Sequence, residues 1–112
     1  MAKKGYEAEA QFKKMLEQDG WLVFRVSGSI GAGDLIAMRA FRNKIYQIKS
    51  TINDVFYFDK NSRDEIERLF DIEAEYGIPC YLAIQFRQGK GKKNEWVVKR
   101  VGDIDFRPIR KP

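Results

Sequence analysis

The sequence predicts an α/β fold in which helices flank a small mixed β-sheet of about five strands. Two observations carry this prediction. Short aromatic and β-branched runs alternate with two longer amphipathic segments, and 44% of the 112 residues are hydrophobic. A chain of this length corresponds to about one domain, because compact domains typically hold roughly 100–150 residues. We therefore expect one domain over residues 1–112, with a flexible C-terminal tail at residues 102–112.

The first half of the chain predicts one helix and three strands. The helix is expected at residues 4–19, ending before Gly20, and Glu9 borders its buried face. The apolar stripe of this helix consists of Ala8, Phe12, Met15 and Leu16. Strands are expected where aromatic and β-branched residues cluster, at residues 21–26, 34–38 and 44–49.

The third predicted strand carries the polar residues of greatest interest. Because side chains alternate along a strand, Gln47 and Lys49 share one face, whereas Tyr46 and Ile48 share the other. Asp34 lies thirteen residues before Gln47, across a predicted hairpin. The acid and the Gln47–Lys49 pair can therefore lie side by side.

The second half predicts another helix and two more strands. The sequence of residues 62–65, Ser-Arg-Asp-Glu, matches a capping box that opens a helix ending before Gly77. The stripe of this helix is formed by Ile66, Leu69, Phe70 and Ala74, and is widened by Ile72 and Tyr76. A stripe this broad could cover the sheet and also meet a second subunit. The strands are expected at residues 80–86 and 96–101.

The composition excludes several classes of site. One cysteine and no histidine rule out an internal disulfide framework, a Cys/His zinc site and an imidazole base. No apolar run approaches the roughly 20 residues that cross a bilayer, and the charged start lacks a secretory apolar region. We expect a cytoplasmic protein with no membrane association and no small-molecule organic cofactor.

Positive charge is concentrated near the C-terminus. The formal net charge is +5, and residues 87–112 hold nine basic and three acidic residues. Such a balance favours polyanionic partners. The loop at residues 87–95 could track a DNA backbone or could simply be solvated, and its basic residues are Arg87, Lys90, Lys92 and Lys93.

An ordered series of motifs resembles a known nuclease family. Asp34 followed by Gln47-Ile48-Lys49 resembles the PD-(D/E)XK superfamily, whose sites read Asp, a spacer, then Asp/Glu-x-Lys. Further segments extend the likeness over about residues 4–100. They lie at residues 4–9, 20–25, 27–29, 33–37 and 47–50, and the likeness continues through Tyr57, residues 63–76 and residues 79–86 to Trp96. Together they are similar, in order and spacing, to archaeal-type Holliday junction resolvases.

The resemblance implies a restriction-endonuclease-like fold and a magnesium-dependent phosphodiesterase, in which Mn²⁺ can substitute. Such an enzyme would act as a homodimer on four-way junction DNA. Glu9 and Asp34 correspond to metal-site acids, and Lys49 to the catalytic lysine. Gln47 and the Ile48 carbonyl complete the implied metal site, and Ser29 is an implied catalytic residue. Glu9 could instead form an ordinary helical ion pair with Lys13, and Lys49 could be a solvated strand lysine.

The segment at residues 27–33 consists mostly of glycine, serine and alanine, and it either forms an ordinary loop or contributes to a DNA-binding surface. Small residues there would let backbone N–H groups and hydroxyls approach phosphate closely. The residues expected on this surface are Lys4, Arg25, Ser27, Ser29 and Tyr57. Ala10 stands where the family usually has arginine, so one phosphate contact is expected to be absent.

Gln47 is the main departure from the family motif. Magnesium favours charged carboxylate oxygen, whereas an amide offers one neutral carbonyl. Two interpretations remain open. Gln47 is either an inactivating change, natural or introduced, that leaves DNA binding intact, or part of a working variant. In the working variant, Asp34, Glu9, the Ile48 carbonyl, waters and DNA phosphate suffice.

Three functions therefore compete at this point. The first is a junction resolvase, weakened or inactivated by Gln47. The second is a non-catalytic junction-binding protein that uses the same surface. The third is a related nuclease that acts on nicks, flaps or ordinary duplex DNA.

Overall fold

Two helices and seven strands make up the part of the chain that the computed structural model describes, residues 3–26 and 34–112. The helices are α1 (Lys3–Gln18) and α2 (Lys60–Tyr76). The strands are β1 (Leu22–Arg25), β2 (Leu35–Arg39), β3 (Arg42–Thr51), β4 (Val55–Phe56), β5 (Cys80–Phe86), β6 (Glu95–Arg100) and β7 (Ile109–Arg110). A short 3-10 turn at Val101–Asp103 follows β6. The strand at β5 has the predicted bounds, whereas β3 is longer than predicted.

The central sheet has five strands in the order β1-β2-β3-β5-β6. The β3–β5 pair is parallel, and the other neighbouring pairs are antiparallel. A parallel pair needs a long crossover connection, and α2 lies within that connection. The sheet is therefore mixed, which confirms the predicted fold class.

The helix α1 covers one face of the sheet. Its buried residues Ala8, Phe12 and Leu16 belong to a core cluster that also contains Tyr46 and Ile48 of β3. The ring of Phe12 lies 5.0 Å from that of Tyr46, measured between centroids. The predicted stripe is correct except at Met15, which is exposed. Met15 follows Phe12 by three residues but lies at the margin of the contact with the sheet.

The helix α2 covers the opposite face. Its residues Ile66 and Leu69 pack in a second core cluster with Ile45, Leu82 and Ile84 of the sheet. Ile45 and Gln47 share one face of β3, as alternation predicts, and in the structure this face meets α2. Each helix buries one side of the same strand, so β3 lies at the centre of a three-layer structure.

The predicted apolar stripe of α2 is partly wrong. Leu69 is fully buried, but Phe70 is 52% exposed, and Tyr76 and Ala74 also face solvent. Successive residues on a helix are about 100° apart. The face that carries Ile66 and Leu69 meets the sheet, so Phe70 is rotated away from it.

The start of α2 also differs from the prediction. Asp59 is the N-cap, and its Oδ1 accepts a hydrogen bond from the Ser62 backbone N–H at 2.8 Å. Ser62 Oγ in turn accepts from the Asp59 N–H at 2.9 Å. The capping box is therefore Asp59 with Ser62, and not Ser62 with Glu65. Glu65 lies inside the helix, where its side chain is available for other contacts.

The C-terminal residues contact the body of the protein. Strand β7 pairs with β4 in a separate two-stranded sheet, and Ile109 is buried. Phe106 packs edge-on against Phe58, with ring centroids 5.3 Å apart. Among the described residues, no helix has the length and apolar character that crossing a membrane requires.

Leu69→Ala is expected to lower the free energy of unfolding by about 2–5 kcal/mol, because it leaves a cavity beneath α2. The neighbouring exposed site provides the control. Phe70→Ala is expected to change it by only about 0.5 kcal/mol. Urea denaturation followed by circular dichroism measures both. Equal losses for the two variants would contradict the orientation of α2.

Candidate active site

Asp34 lies directly against strand β3. Its backbone N–H donates to the Tyr46 carbonyl at 2.8 Å. Its side-chain Oδ2 accepts from the Ile48 backbone N–H at 2.8 Å and from the Gln47 Nε2 at 2.9 Å. The structure therefore brings Asp34 and Gln47 together across the β2–β3 hairpin.

Burial raises the pKa of the Asp34 carboxyl. The negative charges of Glu9 and Glu65 raise it further, whereas the Ile48 N–H bond and the positive charge of Lys49 act in the opposite direction. Four charged side chains thus share one electrostatic environment. Three of them belong to different elements, since Glu9 is on α1, Lys49 on β3 and Glu65 on α2.

Lys49 is half-buried and points toward α2. Its Nζ lies 2.6 Å from Glu65 Oε1. It also lies close enough to Asp59 to help lower the pKa of that carboxyl, although the hydrogen bonds from Ser62 contribute more. The carboxylates of Glu65, Asp59 and Asp34 therefore all interact with Lys49. The sequence analysis assigned Glu65 to the helix cap, so it missed the contact of Glu65 with Lys49.

Glu9 lies at the edge of α1 near the same end of the sheet. Its Oε1 accepts from Arg25 Nε at 3.1 Å. Lys13, the alternative partner for Glu9, pairs with Glu17 at 2.6 Å. The structure thus places Glu9 with Arg25 and within electrostatic reach of Asp34.

Some of the expected DNA-contacting residues lie outside the described residues. Ser27 and Ser29 belong to the segment at residues 27–33, and the side chain of Lys4 is likewise outside the description. Tyr57 is 67% exposed beside β4.

A polar groove lies beside the basic loop. Its lining includes Gln11 on α1, Gln85 on β5 and the loop residues Arg87, Lys90, Lys92 and Asn94. Lys93 is exposed nearby but does not line the groove. Three of the four predicted basic loop residues therefore face a common depression.

A hydrogen-bonded chain connects this groove with the strand that carries Lys49. Ser50 Oγ donates to Gln85 Oε1 at 2.9 Å, and Gln85 Nε2 donates to Gln11 Oε1 at 2.8 Å. Gln85 is buried, so these bonds satisfy an amide that would otherwise be costly to desolvate. The groove is thus linked through Gln85 and Ser50 to β3, the strand that Asp34 contacts.

The Asp34 carboxylate and the groups around it are compatible with a loosely held hard cation such as Mg²⁺. In the described ranges, no three Asp, Glu, Cys or His side chains come close enough to form a metal cage. Magnesium commonly uses only one or two carboxylates, with waters and substrate phosphates completing its shell. Both hydrogen bonds that the described residues donate to the Asp34 carboxylate end on Oδ2. Within this part of the chain Oδ1 accepts none, so it is available to a cation, and the residues fit such an ion.

Comparison with known proteins identifies the family. The model of the archaeal Holliday junction resolvase family, Hjc, matches residues 1–107. The chain belongs to this family. It is 37% identical over 84 residues to the crossover junction endodeoxyribonuclease Hjc of Methanocaldococcus jannaschii. The matched region covers 75% of this chain. The matched part spans 60% of the length of that relative.

A solved structure supports the fold. Archaeoglobus fulgidus Hjc, described as a Holliday junction resolvase from an archaeal hyperthermophile, superposes with a TM-score of 0.74 at 20% identity. The match covers 96% of this chain and 80% of the other. This likeness confirms the restriction-endonuclease-like fold predicted from the family resemblance.

Asp34→Asn is expected to raise the Tm at neutral pH in EDTA. A carboxyl whose pKa is raised on folding loses stability as pH rises from its ordinary value of 3.8 through the raised value. Above this pH range the buried Asp34 charge lowers the stability of the fold by its full amount. Asparagine removes the charge while keeping an oxygen that can accept from the Ile48 N–H. The gain in Tm should therefore shrink as the pH falls below 3.8.

Asp64→Asn is the matched control, since Asp64 is exposed and pairs with Lys60. Its Tm should differ little from that of the wild type at either pH. A lower Tm for Asp34→Asn at neutral pH would show that the Asp34 charge stabilises the fold, contrary to this account.

Proposed function

We propose that the protein is a structure-specific endodeoxyribonuclease that resolves four-way DNA junctions by metal-dependent phosphodiester hydrolysis. The observation that carries this proposal is the Asp34 carboxylate held against β3 beside Lys49, in a chain of the archaeal resolvase family. The name of the Methanocaldococcus relative, a crossover junction endodeoxyribonuclease, supports the same reaction.

A resolvase nuclease family implies a divalent metal ion, and we propose Mg²⁺, with Mn²⁺ as a substitute. When bound, the ion would neutralise phosphate charge and lower the pKa of an attacking water. Asp34 and the Ile48 carbonyl would hold it, with Glu9 nearby. Gln47 presents its N–H to Asp34, so its amide nitrogen, and not its oxygen, faces the Asp34 carboxylate.

Lys49 is the proposed catalytic lysine. Its ammonium lies within the electrostatic environment of Asp34, where it can orient the attacking water or stabilise charge that develops on the phosphate. The chain has no histidine to take this role. Arg25, next to Glu9, and Ser29 are proposed to contact the scissile strand.

DNA binding is proposed to use the groove beside the basic loop, together with Lys4, Ser27 and Tyr57. Arg87, Lys90, Lys92 and Lys93 would contact phosphates, and such contacts position DNA without reading its sequence. Recognition would therefore depend on junction shape. The substrate also agrees with the cytoplasmic location that the sequence predicts.

A homodimer would match the near-twofold symmetry of a four-way junction. One active site would then meet each of two opposed strands, which would allow paired nicks. Sedimentation at several protein concentrations would measure this state.

The orientation of Gln47 favours one alternative function, a junction-binding protein that does not cleave. The Gln47 Nε2 donates to Asp34 Oδ2 at 2.9 Å. The Gln47 amide thus contacts one oxygen of the Asp34 carboxylate and adds no negative charge that would attract a cation. Binding of junction DNA would survive this arrangement even if cleavage did not.

The wild type is expected to nick a labelled four-way junction in Mg²⁺ or Mn²⁺. Lys49→Met should reduce the cleavage rate by about 100-fold or more, as expected for loss of a group that stabilises charge developing in the transition state. Phe70→Ala is the control and should cleave at the wild-type rate. Comparable cutting of linear duplex and junction would instead indicate a nuclease that is not specific for junctions.

The Gln47→Glu variant distinguishes a junction resolvase from a protein that binds junctions without cleaving them. Cleavage only by this variant would identify Gln47 as the change that disables the wild type. Tight junction binding without cleavage by either protein would support the non-catalytic alternative.

Gln47→Glu is also expected to lower the Tm in EDTA, because it replaces an amide–carboxylate hydrogen bond by two carboxylates in contact. Mg²⁺ should then raise the Tm of the variant more than that of the wild type, since binding to the folded state stabilises it. Thermal denaturation with and without Mg²⁺ measures this difference. An unchanged Tm in EDTA would contradict the contact between residues 34 and 47.

Lys90→Ala and Lys92→Ala are each expected to reduce the salt dependence of junction binding. Each lost phosphate contact should lower the slope of log affinity against log salt by about 0.9. Arg107→Ala is the control, because Arg107 pairs with Asp105 away from the groove. Fluorescence anisotropy over a range of salt concentrations measures the slopes. Equal slopes for the wild type and both lysine variants would exclude the loop from the interface.

A further inference from the structure

The polar site around Asp34 has one carboxylate fewer than its motif suggests. Gln47 is buried and neutral, and its amide nitrogen is committed to Asp34 Oδ2. Glu9 is engaged by Arg25 on the α1 side. Asp34 and Lys49 by themselves carry no net charge, so a second carboxylate would strengthen the attraction for a divalent cation.

Glu65 lies on the α2 side of this site. Its Oε1 is buried and lies 2.6 Å from Lys49 Nζ. Within the described residues, this oxygen accepts no hydrogen bond of acceptable geometry. The ion pair with Lys49 therefore leaves a desolvated anionic oxygen with unused acceptor capacity, which is costly unless another group completes it.

The position of Glu65 is held by the fold. Its helix begins at the Asp59–Ser62 capping box, and the next turn packs Ile66 and Leu69 into the core. Glu65 immediately precedes Ile66, so its Cα is positioned by a well-anchored segment. The core therefore fixes the backbone of Glu65, and only the rotamer of its side chain can change.

Glu65 and Asp34 are linked through one face of β3. Asp34 Oδ2 accepts from Gln47, which shares this face with Lys49, and Lys49 Nζ lies 2.6 Å from Glu65 Oε1. Lys49 interacts with both carboxylates. Asp34, Lys49 and Glu65 together carry a net charge of −1, which favours a divalent cation more than the neutral pair does.

We propose that Glu65 of α2 supplies the second carboxylate of the divalent-metal site, in place of Gln47 of β3. The inference rests on the proposed metal-dependent function of this site. Glu65 offers an anionic oxygen on the same side of the sheet as Asp34 and Lys49. On this account, the neutral Gln47 positions Asp34 through its N–H, and the metal-ligating charge comes from the neighbouring helix.

Metal affinity tests this proposal independently of catalysis. Mn²⁺ binding to the full chain is measured by the electron paramagnetic resonance signal of the free ion, with junction DNA present. Glu65→Gln is expected to weaken Mn²⁺ binding by about tenfold or more, the size of effect seen when support for a metal site is lost. Glu67→Gln, an exposed carboxylate on the same helix, should bind Mn²⁺ like the wild type.

Rescue by the family residue gives a second readout. The double variant Gln47→Glu/Glu65→Gln should recover Mn²⁺ affinity, because a carboxylate is restored on β3. Unchanged Mn²⁺ affinity in Glu65→Gln, or no Mn²⁺ binding by the wild type, would overturn the proposal. Circular dichroism checks that each variant is folded.

The hydration of a bound ion separates direct ligation from a through-space charge effect. Tb³⁺ luminescence lifetimes in H₂O and D₂O count the waters on the ion. Glu65→Gln should add about one water, since a lost protein ligand is replaced by solvent, whereas Glu67→Gln should add none. Weaker binding with unchanged hydration would mean that Glu65 acts only through its charge, and would overturn direct ligation.

Cleavage assays distinguish this inference from the proposed function. Loss of metal affinity in Glu65→Gln, with no junction cleavage by the wild type or Gln47→Glu, would support Glu65 as a metal ligand and contradict the nuclease function. If the wild type cuts but Glu65→Gln binds Mn²⁺ normally, the function stands and the role of Glu65 fails.

Discussion

The contact on which the site depends is the hydrogen bond from the Ile48 backbone N–H to the Asp34 carboxylate. The donor belongs to β3, which is paired on both sides by β2 and β5. The carboxylate is therefore held by the sheet backbone, and the Gln47 side chain adds a second hydrogen bond. The bond offsets only part of the cost of burial, so the pKa of Asp34 stays raised. A charge held at some cost in stability is typical of a site kept for function.

The three layers of the fold each supply part of this charge arrangement. The sheet provides Asp34 and Lys49, α1 brings Glu9 with Arg25, and α2 brings Glu65. Two separate core clusters, one on each face of β3, hold the helices in place. The basic groove lies on the α1 side, next to the loop that follows β5.

Local sequence patterns did not predict the cap of α2, the short strands β4 and β7, or the buried side of α2. The sequence of residues 62–65 fits a capping box, but Asp59 caps α2 with Ser62, and this leaves Glu65 free to reach Lys49. The two-residue strands β4 and β7 are too short to show any periodicity. Phe70 fits a helical stripe, yet only contact with the sheet decides which side of α2 is buried.

Strand and helix periodicity, together with the order of motifs, was enough to predict the mixed sheet, the family and the shared face of Gln47 and Lys49. These features depend on neighbours along the chain, which a sequence displays directly. The contact between Lys49 and Glu65 joins residues on different layers, and the orientation of the Gln47 amide depends on what surrounds it. Both were decided by tertiary packing, because the energy of a buried charge or amide depends on partners that are distant in sequence.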